Sequence, residues 1–189
     1  MIIKNKDELY KCLAADASKY PSLNTNWKTS LKHLLFSNPI NDQRYIWKYI
    51  KTLRYVEYYE TNKKKSLKYY LLDIYYLFKL RKYARITGFQ IPPFTCGAGL
   101  QIWHWGPIII NPKAHLGNNC TLYAGVLIGH KSENKGAPII GNNVFIGAGT
   151  KIIGNIRIGD NVTIGQNCLI VKNVEANHTI VETPSVKYL

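Results

Sequence analysis

From residue 110 to residue 170 an aliphatic side chain recurs at every sixth position: Ile110, Leu116, Leu122, Ile128, Ile140, Ile146, Ile152, Ile158, Ile164 and Ile170, with Asn134 the one break in the row. A glycine follows that residue at Gly117, Gly129, Gly141, Gly147, Gly159 and Gly165. Four positions after the first row comes a second one of small or branched residues: Ala114, Cys120, Val126, Val144, Thr150, Ile156, Val162, Cys168 and Val174. An amphipathic helix repeats its apolar stripe every 3.6 residues and a half-buried strand every two, so neither produces a sustained period of six. A parallel β-helix does, because each short strand points one aliphatic residue inward and turns a corner before the next. The fold expected is therefore mainly β, a hexapeptide-repeat β-helix preceded by a small α-helical part.

The charge is unevenly placed. Residues 1 to 89 hold 18 Lys and Arg against 7 Asp and Glu, and residues 90 to 189 hold 7 against 4. A basic surface of this size raises the local concentration of anions, which suits an acidic substrate or an anionic membrane, or is simply a solvated helical face. Nucleic acid is not expected as a partner, since there is no finger spacing, RNP-like run or helix-turn-helix signature. Cys12, Cys96, Cys120 and Cys168 form no CxxC pair and are expected as reduced core thiols. Lys4, Lys6, Asp7 and Glu8 interrupt any leader-like apolar core, and no apolar run reaches the roughly 18 residues of a membrane span, so a cytoplasmic location is expected.

Two parts are anticipated, a helical domain over 1–87 and the β-helix over 88–189. Residues 5–16 carry a helical pattern with Asn5 as cap, and Thr29 to Phe36 carry a second. Helix resumes from Asp42 along Ile46, Ile50 and Leu53. The run Lys63, Lys64, Lys65 marks a turn before a last helix from Ser66 to Thr87. That helix is apolar nearly all round and is expected to be buried on more than one side. Its mixture of Tyr and Lys is also what an interfacial helix shows, which keeps peripheral contact with the inner membrane face open. Gly88 supplies the helix stop, Pro92 and Pro93 force extended backbone, and Cys96 and Ile102 are the first inward residues.

Two interruptions stand out. Between Ile102 and Ile110 the spacing is eight, and the two extra residues belong to the stretch Trp103, His104, Trp105, Gly106, Pro107. From His130 to Pro138 the polar, glycine-containing run HKSENKGAP occupies a stretch long enough for two repeats, yet Ile128 and Ile140 remain twelve apart, so this segment should bulge as a loop without disturbing the stack. The residues after Val171 leave the period and are expected to form an extended cap over the last coil.

The repeats, the stretch GLQIWHWGPIIINPKAHLGNN, the polar loop before APIIGNNVFIGAGTKIIGNIRIGDNVTIG and the closing TPSVKYL resemble the serine acetyltransferase family of left-handed β-helix acyltransferases, and within it the short O-acetyltransferases of capsule and cell-surface polysaccharides. The likeness covers residues 88–189 and implies left-handed coils and acetyl transfer from acetyl-CoA to a hydroxyl, with no metal. It also implies that His104, which follows the motif G-[IL]-x-[IL]-x-H, is the general base. A free imidazole titrates near 6.5, so it can accept the proton of an attacking hydroxyl at neutral pH, an effect typically of about 100- to 10,000-fold. The resemblance implies a homotrimer with acetyl-CoA in the groove between subunits. Gly147, Ala148 and Gly149 match the family's GAG segment. Gly129, Lys131, Lys151, Gln166 and Lys172 are further candidate contacts to the cofactor, and Lys187 to its phosphates. The loop 130–138 is expected to close over the groove, with Lys131 and Lys135 near phosphates and Gly136 as hinge.

This chain departs from the family's pattern in three places. Trp103 stands where serine acetyltransferases have an aspartate before the histidine, Phe89 or Gln90 where they have another upstream, and Ala137 where they have a second histidine. Gln90, Asn111 or a backbone carbonyl is left to orient His104. With those acids gone, and with the flat faces of Trp103 and Trp105 suited to a sugar ring or to plain packing, a saccharide hydroxyl is the expected acceptor and serine the alternative. A zinc hydratase is disfavoured because His104, His115 and His130 include no H-x4-H pair, and a non-catalytic scaffold leaves His104 in its insertion unexplained.

Overall fold

A computed structural model describes residues 2–20, 43–132 and 136–182. The helical pattern at Thr29 to Phe36, Lys135, Pro184 and Lys187 lie outside these described residues. Helix α1 (Lys6–Ala17) starts as expected: Asn5 Oδ1 accepts from the Glu8 amide at 2.9 Å, and Glu8 reaches back to the Lys4 amide at 2.7 Å. Helix α2 (Gln43–Asn62) and helix α3 (Leu67–Thr87) form a hairpin around the single turn Lys63–Lys65. Ser66 caps α3, and Gly88, in the left-handed region at φ 79°, ends it with its amide on the Ala84 carbonyl at 2.8 Å.

The strands stack in parallel into three faces. Face A holds β1 (Phe89–Gln90), β3 (Ile108–Ile110), β6 (Leu127–Gly129), β9 (Lys151–Ile153) and β12 (Leu169–Ile170). Face B holds β4 (His115–Leu116), β7 (Ile139–Ile140) and β10 (Arg157–Ile158), extended by single bridges from Cys96 to Leu116 and from Ile158 to Val174. Face C holds β2 (Gln101–Trp103), β5 (Thr121–Tyr123), β8 (Phe145–Ile146), β11 (Thr163–Ile164) and β13 (Thr179–Ile180). Both sequence rows point inward: Leu122, Ile128, Ile146, Ile152 and Ile164 are buried, and so are Ala114, Cys120, Val144, Thr150 and Val162. The four thiols are free and buried, and burial pushes those of Cys12 and Cys96 up to about 12.

Corners are built from left-handed residues. Asn119, Asn143, Asn161 and Asn177 all adopt φ near 55–62°, a region that asparagine tolerates better than other chiral residues. Three of them form a side-chain ladder, Asn143 donating to Asn161 at 3.0 Å and Asn161 to Asn177 at 2.9 Å. Glycine is needed where coils nearly touch: a Cβ on Gly147 would lie 2.6 Å from the Gly165 carbonyl carbon. The chain after Val171 does not simply cover the prism. Thr179 and Ile180 pair with Thr163 and Ile164, so the stack continues through one further, shorter coil before the described residues end at 182.

The first coil presents an open edge of backbone donors and acceptors, which would be costly if left bare. The helices cover it. The Tyr49 hydroxyl donates to the Ile91 carbonyl at 3.0 Å, and the Tyr20 hydroxyl accepts from the Ile102 amide at 2.7 Å. Beneath them Arg54, fully buried, donates from Nε to Asp16 Oδ2 at 2.8 Å, from Nη1 to Glu57 Oε2 at 3.0 Å and to the Cys96 carbonyl at 2.9 Å, and from Nη2 to the Gly97 carbonyl. The carboxylates in turn accept backbone donors: Asp16 Oδ1 from Gly99 at 2.7 Å and Leu100 at 2.9 Å, Glu57 Oε1 from Phe94 at 2.7 Å. Burial opposes the guanidinium charge, but Glu57 and Asp16 outweigh it and hold Arg54 protonated. Apolar packing is continuous across the joint, with Ile46, Ile50, Leu53 and Leu80 in one cluster with Phe89, Ile102 and Ile108. The step at residues 87–88 is thus a change of secondary structure within one core.

Helix α3 corrects the expectation of burial on several sides. Its inner side meets α2 through stacked tyrosines, Tyr76 against Tyr55 at 4.8 Å and against Tyr59 at 5.2 Å, and through Leu80. Its outer side leaves Leu67, Leu71 and Phe78 exposed at 72%, 56% and 63%. An apolar composition all round the helix reports that both sides avoid water, but among the described residues α2, the first coil and, at Tyr69, the cluster of Ile3, Leu9 and Cys12 cover its inner side and leave the outer one bare.

Candidate active site

The inserted residues between β2 and β3 form the CA edge of the first coil, where the chain passes from face C to face A. His104 sits at its apex with φ 65°, exposed, its ring 6.3 Å from that of Tyr123 on the next coil. A chiral residue in the left-handed region is uncommon, and histidine, like asparagine, is among the types enriched there. Trp103 ends β2 in register with Tyr123 and stacks on it at 6.3 Å, and Tyr123 continues to Phe145 at 5.5 Å. Trp105 instead turns toward the helices and meets Tyr45 at 5.6 Å. The corner is anchored from above, Gly106 donating to the Thr87 carbonyl at 2.9 Å.

Directly below, the CA edge is a column of small residues. Gly125 donates to Pro107 at 2.8 Å, Gly149 to Ala124 at 3.0 Å and Asn167 to Ala148 at 2.7 Å, so Gly106, Ala124, Ala148 and Gln166 succeed one another down the prism. Gly147 is buried and Gly149 has φ 72°, so stacking alone already demands both glycines. What the edge leaves accessible is the half-buried backbone of Ala148 and Gly149 and the exposed amide of Gln166. Lys151 follows on face A with Nζ on the Gly149 carbonyl at 3.2 Å. This strip, built of Gly106, Ala124 and Ala148 between His104 and Gln166, fits a thin flexible ligand arm. Ala124 and Tyr123 had not been singled out from the sequence; the dipeptide Ala-Gly repeated at 124–125 and 148–149 was the signal that could have found the first.

The remaining candidate residues lie elsewhere. Gln90 ends β1 on face A, exposed, paired with Ile109. Asn111 is at the AB edge, where its amide group meets His130 Nδ1 and its Oδ1 accepts from the Lys113 amide at 2.8 Å. Gly129, Lys131 and Lys172 stand at that same edge, the last two exposed. The loop after β6 leaves from it: Thr121 pairs with Phe145, 24 residues on, against 18 from Phe145 to Thr163, so six residues are extruded while the register is kept. Among the described residues no group of three or more His, Cys, Asp or Glu is arranged to hold a metal ion, and none of the helices is long and apolar enough to cross a membrane.

Five stacked parallel coils of hexapeptides with asparagine and glycine corners define a β-helix of the bacterial transferase type, and the family model described as "Bacterial transferase hexapeptide (six repeats)" matches residues 137–172. The chain resembles the hexapeptide-repeat acyltransferases, and the curated relatives and solved structures it is similar to include serine acetyltransferases. It is 38% identical to that of Synechococcus elongatus over 102 residues, 52% of this chain and 42% of the relative, and 39% identical to that of Staphylococcus aureus over 101 residues, 52% and 47%. The chain therefore spans less than half the length of these curated relatives. Among solved structures, serine acetyltransferase isoform 3 of Entamoeba histolytica, in complex with cysteine, superposes with a TM-score of 0.60 at 27% identity over 96% of this chain and 60% of that one. The Brucella abortus enzyme in complex with coenzyme A shares the fold at a TM-score of 0.69 and 22% identity, over 95% and 67%. The fold is the left-handed β-helix of these enzymes.

Proposed function

We propose that the protein is an acetyl-CoA-dependent O-acetyltransferase of the serine O-acetyltransferase kind, with His104 as general base. The observation that carries this reading is the place of His104, projected by a two-residue insertion at the head of a small-residue strip on the CA edge. When bound, the co-substrate supplies an acetyl thioester. The chain's own part is to lay the pantetheine arm against Gly147, Ala148 and Gly149, to hold an alcohol against His104, and to take its proton as the oxygen attacks the carbonyl carbon and the thiol leaves.

The acceptor reading shifts from the one expected above. All of the relatives described are serine acetyltransferases, which favours L-serine over a saccharide. The saccharide reading keeps one specific observation, the exposed Trp103 stacked on Tyr123 beside the base, where an aspartate would otherwise stand. Thiol release from acetyl-CoA measured with L-serine and with a panel of hexoses and N-acetylated amino sugars separates them. Acceleration by L-serine supports the first reading and acceleration by sugars alone the second. No acceleration by either, with acetyl-CoA bound, would refute the transferase.

The candidate residues split between two edges of one prism, His104 to Gln166 on CA, and Asn111, His130, Lys131 and Lys172 on AB. Separate edges of one chain meet only if the CA edge of one copy faces the AB edge of another, and a repeated head-to-tail contact of this kind closes into a ring. We expect a homotrimer, with one site in each groove. A monomer in sedimentation at micromolar concentration is the result that would reject it.

A further inference from the structure

We propose that the outer side of α3 is a docking surface for an anionic lipid bilayer. Leu67, Leu71, Ile74 and Phe78 follow one another at helical spacing along this side, flanked by Tyr70 and Tyr75, each about half exposed. This is an apolar stripe that neither the helical hairpin nor the prism covers. Its margins are cationic: Lys68 and Lys79 on one side, Arg81 on the other, with Lys82 and Arg85 completing the last two turns. Two of these charges already fold their stems over the aromatic rings, Lys79 Nζ 5.6 Å above Tyr75 and the Arg81 guanidinium 5.7 Å above Phe78, the posture of a side chain with an apolar stem and a charge held at the interface. The acid of α3, Asp73, is turned inward and buried, and burial followed by the charge of Glu60 raises its pKa, so the outer side carries no carboxylate at all.

Charge complementarity selects the occupant. A second copy docked through the same side would bring Lys68, Lys79, Arg81, Lys82 and Arg85 toward their own duplicates with no acid on the outer side of either helix to offset them. A bilayer with anionic headgroups satisfies both features at once, taking the leucines and phenylalanine at the acyl boundary and the cations at the phosphates. With none of the described helices long and apolar enough to span, the mode is adsorption in the plane of the interface. The inference is independent of the transferase reading, since none of these residues belongs to the CA or AB edges.

The test is co-sedimentation of the intact protein with phosphatidylcholine vesicles, with and without phosphatidylglycerol, alongside the variants Leu71→Glu/Phe78→Glu and Arg81→Glu/Lys82→Glu. Binding is expected only to the phosphatidylglycerol vesicles. It should fall with added salt, be abolished by the first variant, and weaken by at least about tenfold in the second. Because the altered positions are exposed, both variants should melt as the parent does, which separates lost binding from lost folding. Failure of the parent to bind anionic vesicles would overturn the proposal. So would unchanged binding by the leucine and phenylalanine variant, or a drop in the sedimenting mass of that variant in lipid-free solution, which would assign the surface to a second copy.

Discussion

Replacing His104 by asparagine is expected to lower turnover by at least about 100-fold with a verified acceptor, while leaving the affinity for acetyl-CoA and the melting temperature nearly unchanged. The kinetic loss follows because the proton of the attacking hydroxyl would pass to water in place of a held imidazole. The retained stability follows from the backbone. His104 has φ 65° in an exposed corner outside both inward rows, so no core cavity opens, and asparagine is the chiral residue that the left-handed region tolerates best. Alanine at the same place removes the same base but fits that backbone less well, so His104→Asn separates chemistry from folding more cleanly. Retention of more than about a tenth of the parent turnover would remove His104 from the base role and make His130, on the other edge, the next residue to test.

The largest effect on stability is expected at Arg54. Arg54→Met deletes the cation that pairs with two buried carboxylates, and breaking a buried pair in this way costs about 3–5 kcal/mol, a large part of the roughly 5–15 kcal/mol that holds a domain of ordinary stability. Replacing Asp16, Arg54 and Glu57 together by apolar residues often rescues an isolated buried triad. Here it should not. The carboxylates also accept from the amides of Phe94, Gly99 and Leu100, and the guanidinium donates to the carbonyls of Cys96 and Gly97, so the triple change strands five backbone groups at the top of the prism. Chemical denaturation of both variants measures this directly, and a loss below about 1 kcal/mol for Arg54→Met would mean that apolar packing alone seats the helices on the first coil.

The prism was open to reading from the sequence because its physics is local. One inward aliphatic per strand and one tight corner per turn recur at fixed distance, and the inward burial of Ile110 to Ile170 follows from that period. The same locality exposed the insertion at His104 as a break in spacing. The joint between helices and prism was not legible, since Asp16, Arg54, Glu57 and the amides of 94–100 are brought together only by the tertiary fold and share no period. Nor was the aromatic column of Trp103, Tyr123 and Phe145, whose members project from the outer side of the strands, where the hexapeptide pattern leaves the residue type free. The exposed outer side of α3 was hidden for the opposite reason, because its composition imitates a core helix.

The two ends of the stack differ in kind. Above the first coil, a cation, two acids and two tyrosine hydroxyls close the open edge, whereas Thr179 and Ile180 form the last rung among the described residues, followed by an exposed Val181. In a quasi-one-dimensional array each coil is stabilised by its neighbours, so asymmetric ends impose a direction on local opening. Amide protection should accordingly decline from the coil of Phe89–Trp103 toward that of Leu169–Ile180. The corner that carries His104, the proposed base, rides on the first of these coils, the most firmly seated one, and thermal fraying that begins at the far end must traverse three intervening rungs before it can disturb the geometry at His104.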